Sequence, residues 1–247
     1  MIISHKYKFI FVKTTKTAGS SMEALLETYL QPGDMMTLRG EIRKNKSAIK
    51  LLKDRGIEII SKKDMFTSHS PLITAHTAFP HTKQYFSFGI LRDPFKRAIS
   101  SFRWNKNNQI KRIQELDYPR KKLNQVLQRK FLRYITSGNH GLNTYGRNLL
   151  QSISANGQPW SVSRIHRLED LDELERDLAA NTGLKINCDS MPRLKSDTVP
   201  IPEHVNLFSM QAVKWISMQH QWELETMGYQ IPAVADDKST KAGRQEL

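Results

Sequence analysis

The sequence predicts an α/β fold, a central parallel sheet flanked by helices with helical additions, and three observations predict it. Lys8 to Val12 (KFIFV) and Tyr85 to Leu91 (YFSFGIL) are short β-branched or aromatic runs of the kind that form buried strands. Each hands over within a few residues to a segment with helix-start chemistry. Further on, apolar residues recur at helical spacing, as in the acidic amphipathic stretch Leu171 to Asn181, which stops at Gly183.

The elements follow in order. After KFIFV, the Thr- and Lys-rich connection Lys13 to Ala18 leads to Gly19 and Ser20, and a helical pattern begins at Ser21. The serines suit an N-cap and Glu23 suits a first turn. Gln31-Pro32-Gly33-Asp34 ends that helix. Residues 39–63 carry nine Lys or Arg against three acids and read as a solvated helix and loop, with a second strand at Ile57 to Ile60. YFSFGIL runs straight into Arg92-Asp93-Pro94, where Asp93 caps, Pro94 takes the first helical position and Phe95 to Trp104 is helix. Helices are expected around 119–136, a Gly- and Asn-rich loop with a short helix over Gly138 to Gly157 and a strand over Ser163 to Leu168. Ser209 to Met227 reads as one long helix stopped at Gly228, and residues 232–247 as a frayed polar tail. No internal repeat or linker interrupts the chain, so residues 1–231 form a single domain.

Composition narrows the function. The 247 residues carry 38 Lys and Arg against 24 Asp and Glu, a net charge of +14, which implies an anionic partner. Of that charge, +10 falls between Arg92 and Arg133. Cys188 is the only cysteine, so an internal disulfide and a cysteine-based zinc site are excluded. The longest stretch lacking Asp, Glu, Lys and Arg, Met65 to Thr82, is interrupted by His and Pro and does not read as a membrane span. The N-terminus has too short an apolar run for a signal peptide, so a cytoplasmic location is expected.

A strand, a short loop and a helix N-terminus make an anion site, because unpaired backbone N–H groups and the positive end of the helix dipole converge there. The first such loop is Lys13-Thr14-Thr15-Lys16-Thr17-Ala18-Gly19-Ser20-Ser21. It lacks the glycines that a Walker A loop places before its lysine, which disfavours an ATP-dependent kinase.

The order found here, lysine then glycine then hydroxyls, resembles the loop of the sulfotransferases that use 3′-phosphoadenosine-5′-phosphosulfate (PAPS) and release PAP. Leu91-Arg92-Asp93-Pro94-Phe95-Lys96-Arg97-Ala98-Ile99-Ser100 is similar to that family's second motif, and it also follows a central strand. The resemblance is clearest over residues 5–30 and 69–104, closest to the bacterial and carbohydrate-type branch, and weaker over Arg164 to Leu178. It implies a P-loop-like three-layer fold and sulfuryl transfer to a hydroxyl. It also implies that Lys16, Thr17, Ala18, Gly19, Ser20 and Ser21 hold the 5′-phosphosulfate, while Arg92 and Ser100 hold the 3′-phosphate. Thr15 stands where the family usually has proline.

Transfer to a hydroxyl needs a general base, and imidazole titrates in the right range. The segment Ser68 to His76 resembles the family segment that contributes an active-site histidine; His69 matches best, with His76 and His81 as rivals and an unassigned carboxylate as a further option. Lys16 is expected to stabilise the departing phosphate oxygen. No Asp/Glu/His cluster with metal-ligand spacing is visible, so no metal is expected. Arg193 and Lys195 are candidates for the 3′ end of the cofactor, Trp104 and Trp160 for stacking on a sugar ring, and Trp215 and Trp222 for the core. The acceptor is expected to be a carbohydrate or other small hydroxylated molecule, possibly acidic. The alternatives are a basic nucleic-acid-binding protein, although no helix-turn-helix, RNP-like or zinc signature accompanies the charge, and a P-loop-type nucleotide kinase.

Overall fold

The computed structural model describes residues 1–137, 162–194, 198–232 and 234. The expected loop over Gly138 to Gly157, together with Trp160, Lys195 and most of the tail, lies outside the described residues.

Among the described residues, six strands form one sheet in the order β4-β3-β1-β2-β5-β6. They are β1 (Ile2–Ser4), β2 (Phe9–Val12), β3 (Met35–Thr37), β4 (Glu58–Ile60), β5 (Phe86–Leu91) and β6 (Arg164–Arg167). β2 pairs in parallel with β5, β5 with β6, and β3 with β4. β1 runs against both β2 and β3, so the sheet is mixed, with one reversed strand in an otherwise parallel set. β1 and β3 are three residues each, too short for a period-two pattern to reveal, and pairing rather than local sequence holds them.

Period-two alternation sends Phe9 and Phe11 to one face and Ile10 and Val12 to the other. The first face is covered by α1 (Gly19–Glu27), α3 (Lys46–Asp54) and α7 (Asp172–Thr182), which bring Met22, Leu25, Leu52, Leu174 and Leu178 to the core. The second face packs on α4 (Leu72–Ala78) and Phe66. Two covered faces make three layers. The short α2 (Gly40–Arg43) precedes α3.

A separate apolar cluster joins α5 (Pro94–Gln114), α6 (Arg120–Thr136), α8 (Met210–Gln219) and α9 (Gln221–Met227) through Phe102, Phe131, Tyr134 and Ile216. The single C-terminal helix expected from sequence is broken at His220 (φ −125°, ψ 23°) into α8 and α9. Trp215 packs against this cluster, as a core residue should. Asp93 caps α5, accepting from the backbone N–H groups of Phe95 (2.8 Å) and Lys96 (3.2 Å), with Pro94 at the first position. Among the described residues, no helix is long and apolar enough to cross a membrane.

Because β2 and β5 are parallel neighbours, Val12 and Leu91 end at the same edge of the sheet. The loops that follow them therefore meet, which is how the fold joins two motifs about eighty residues apart in sequence.

Candidate active site

The loop after β2 is built from its own hydroxyls. Thr14 Oγ1 donates to the carbonyl of Ile90 on β5 (2.5 Å), and Thr17 Oγ1 lies 2.6 Å from Thr14 Oγ1. Thr17 is fully buried and turns inward, so its side chain shapes the loop and does not line the cavity. Lys16 (φ 61°) and Ala18 (φ 56°) both adopt the left-handed conformation. Two such non-glycine residues in a short loop hold strain of about 1–3 kcal/mol each, which persists only where surrounding contacts impose it.

Ala18 is the N-cap of α1 and has no side chain to offer, so no side-chain hydrogen bond caps this helix. The serines expected to cap it are used elsewhere. Ser20 Oγ accepts from Lys13 Nζ (3.1 Å), and Ser21 Oγ accepts from the Leu194 N–H (3.1 Å). The first-turn N–H groups of α1 thus stay unpaired by any cap and point to the loop, as helix geometry requires.

Beneath the loop lies a buried ion cluster that sequence reading missed. Glu23 is fully buried and sits past the first turn, where it binds Lys13 Nζ (2.5 Å) and the Met1 amine (2.9 Å). The Met1 amine also donates to Thr37 Oγ1 (2.8 Å). The reversed β1 brings Met1 to this end of the sheet, since Ile2 pairs with Phe11. Lys13 runs under Gly19 to reach Glu23, and a Cβ at Gly19 would stand 2.7 Å from Lys13 Cγ. The motif glycine is required by this close packing rather than by a positive φ.

Two adjoining cavities open above the loop. The first, about 450 Å³, is lined by the loop and first turn of α1, by Arg43, Ser68 and His69, and by Arg92, Ser100, Trp104 and Asn105. The second, about 510 Å³, is lined by Lys16, Arg92, Lys96, Ser100, Arg103 and Arg193 among others. Lys16, Arg92 and Ser100 line both. Burial disfavours the charged form of the Arg92 guanidinium and lowers its pKa from the usual arginine value, opposed by Glu169 and Asp93. Lys16 Nζ lies 4.5 Å from the centroid of the Trp104 ring.

The histidines separate clearly. His69 lines the first cavity, and its Nδ1 lies 3.2 Å from the Lys13 carbonyl. A carbonyl can only accept, so Nδ1 carries the proton and Nε2 is the basic nitrogen. Burial lowers the His69 pKa below 6.5, with the Lys13 carbonyl opposing, so the imidazole is neutral at neutral pH. His76 and His81 line neither cavity. His76 Nδ1 meets Thr82 Oγ1 (3.2 Å), and His81 packs between His5, Phe79 and Tyr85.

Arg97, inside the second motif, is fully buried and faces away from the cavities. It forks onto Glu223 of α9, Nη1 to Oε2 at 2.7 Å and Nη2 to Oε1 at 2.8 Å, with His220 Nδ1 3.1 Å from Nη2. Burial alone would raise the Glu223 pKa, but Arg97 and His220 outweigh it and hold the carboxyl at about 2. Folding also assembles a cluster invisible in the sequence spacing: His166, Glu173 and Asp177 converge beside β6, outside both cavities.

In structure the chain is similar to a mouse sulfotransferase, SULT7A1, complexed with PAP (TM-score 0.48, 11% identity, 90% of this chain and 86% of that one). It is also similar to a sulfotransferase from Alicyclobacillus acidocaldarius (TM-score 0.40, 14% identity, 90% and 96%). No curated protein matches the sequence. A family model described as "Sulfotransferase family" matches residues 1–198, most of the chain, including both strand-to-helix motifs. It favours neither a kinase nor a nucleic-acid binder, and on its extent the chain belongs to the PAPS-dependent sulfotransferase family.

Proposed function

We propose that this enzyme moves a sulfuryl group from PAPS to a hydroxyl of a carbohydrate or other small acceptor by in-line transfer, with Lys16 and His69 on the two sides of the reacting centre. The observation that carries the reading is the convergence of Lys16, Arg92 and Ser100 on both cavities. The donor, when bound, supplies the sulfuryl group and a phosphate leaving group. The residues present fit it: a strained loop ahead of an uncapped helix suits a multiply charged oxyanion, and a guanidinium beside a hydroxyl suits a second phosphate.

Gly19, Ser20 and Ser21 contribute their backbone N–H groups to the 5′ end, while Thr17 keeps the loop in shape. Arg92 and Ser100 bind the 3′-phosphate, with Arg193 beside them. Lys16 places a cation where negative charge grows on the leaving oxygen, which stabilises the transition state more than the ground state. These cations supply the charge, and no metal is assigned a part in the transfer. His69 Nε2 takes the acceptor proton. His76, on α4 and outside the cavities, takes no part.

Trp104 is 46% exposed at the first cavity and offers an apolar face to a sugar ring. Arg43 lines the same cavity and suits an acidic group on the acceptor. The test is a thermal-shift comparison. PAP without magnesium is expected to stabilise the protein, by about 2.7 kcal/mol at 100 times its Kd. An equal shift with ATP and Mg²⁺, and none with PAP, sinks the reading.

A further inference from the structure

Three side chains with metal-binding chemistry meet where α7 packs beside the edge strand β6. His166, on β6, is fully buried, and among the described residues neither of its ring nitrogens has a hydrogen-bond partner. Asp177 Oδ2, also without a hydrogen-bond partner, lies 3.7 Å from His166 Nε2, beyond hydrogen-bond reach. Glu173 is one helical turn before Asp177, so both carboxylates lie on the same side of α7. One ligand atom from each of the three falls within 4.8 Å of the others.

The surroundings favour a cation. In a chain of net charge +14, this spot gathers Asp170, Glu173 and Asp177 around the imidazole. Among the described residues, Arg164 is a cation that opposes them, and its Nε lies 3.7 Å from the same Asp177 oxygen. Its side chain is 66% exposed and has room to withdraw into water. A buried imidazole with two unpaired nitrogens is costly unless something binds one of them.

We propose that His166, Glu173 and Asp177 form a site for a divalent transition metal of the zinc class, tying α7 to the sheet edge. One imidazole nitrogen and two carboxylate oxygens suit a borderline metal, whereas magnesium and calcium favour oxygen alone. Zinc holds such donors at about 2.0–2.2 Å, so the three atoms need only close modestly around it, and the exposed Glu173 is able to make the larger movement. Water completes the coordination. The consequence reaches the active site through β6. The Leu168 N–H donates to the Leu91 carbonyl (2.7 Å), and Glu169 accepts from the Asp93 N–H (3.3 Å), so bracing β6 steadies the strand end that presents Arg92.

The experiment uses the full chain, stripped with EDTA and titrated with ZnCl₂ against a chromophoric zinc indicator. One equivalent is expected to bind and to raise the unfolding temperature, with no shift from MgCl₂ at the same concentration. The double variant Glu173→Gln/Asp177→Asn changes only groups at least partly exposed. It is expected to weaken zinc binding at least tenfold and to lose the thermal shift, while its PAP affinity in zinc-free buffer matches that of the metal-free wild type. Failure of the wild type to bind zinc overturns the proposal, as does a double variant that binds as tightly, which would place the zinc on other histidines. A His166 NMR signal that titrates with pH but ignores zinc assigns a simple ion pair with Asp177 and also overturns it.

Discussion

Lys16 Nζ stands 4.5 Å from the centroid of the Trp104 ring, so the loop lysine and an exposed indole face one another across the first cavity. A cation over an indole face is worth roughly 0.5–2 kcal/mol, depending on its exposure. A phosphate group bound at the loop competes for the same ammonium. PAP binding is therefore expected to change tryptophan emission, and the change should vanish in Trp104→Phe. The same signal in that variant would separate Trp104 from the loop.

His69 leads to a pH prediction. Its pKa is lowered, chiefly by burial, so the ascending limb of kcat against pH is expected below 6.5, with a flat region from there through neutral pH. His69→Ala should lower kcat by about 10²–10⁴-fold with PAP affinity nearly intact, and His76→Ala should leave kcat close to wild type. A pH–rate limb well above 6.5, or loss of turnover in His76→Ala with His69→Ala active, would contradict the assignment.

Gly19→Ala tests the packing beneath the loop. The new Cβ would press on Lys13 Cγ at 2.7 Å and on the Thr14 carbonyl at 3.3 Å. Forcing apart the stem that reaches Glu23 should cost about 1–3 kcal/mol in chemical denaturation and weaken PAP binding as well. Unchanged stability and affinity would mean that the Lys13 stem is not fixed there.

Arg97→Ala leaves the buried Glu223 carboxylate without its guanidinium partner, with only the His220 imidazole beside it. A loss of about 3–5 kcal/mol is expected, a fall in Tm on the order of 10 °C. The pH dependence has a definite sign. The Glu223 pKa is depressed on folding, so its contribution is present above the ordinary 4.5 and is lost as pH falls toward about 2. The His220 pKa is lowered by burial, so its contribution is likewise lost as pH falls below 6.5. Glu223→Gln should flatten the acid limb below pH 4.5, as measured by urea denaturation across pH. An unchanged limb would assign it to other groups.

Legibility in the sequence followed the range of the interaction. Asp93 and Pro94 start α5 through contacts two and three residues away, and their types alone predict the cap. β2 and β5 are visible because both of their faces are buried. Ser20 and Ser21 looked like caps because nothing local reveals Lys13 beneath one or Leu194, 173 residues on, beside the other. Glu23 suited a helix start by type, yet it pairs with Lys13 and the Met1 amine across the sheet edge. The helical pattern from Ser209 to Met227 runs through His220 unbroken, and the break coincides with a buried contact to Arg97, 123 residues earlier. His69 could be ranked above His76 only by resemblance, whereas the Lys13 carbonyl and the cavity distinguish them physically.

The central claim is that the β5–α5 junction reads the 3′-phosphate of the donor. Calorimetric titration of the wild type and Arg92→Ala with PAP and with AMP, which differs from PAP only in lacking that phosphate, tests it most directly. A charge-assisted contact is worth about 1.5–3 kcal/mol, so the wild type should prefer PAP by roughly 10- to 150-fold. Arg92→Ala should bind PAP more weakly by that factor and bind AMP as the wild type does, with Ser100→Ala showing a smaller loss. Equal affinity of the wild type for the two nucleotides, or full PAP affinity in a folded Arg92→Ala, would contradict it.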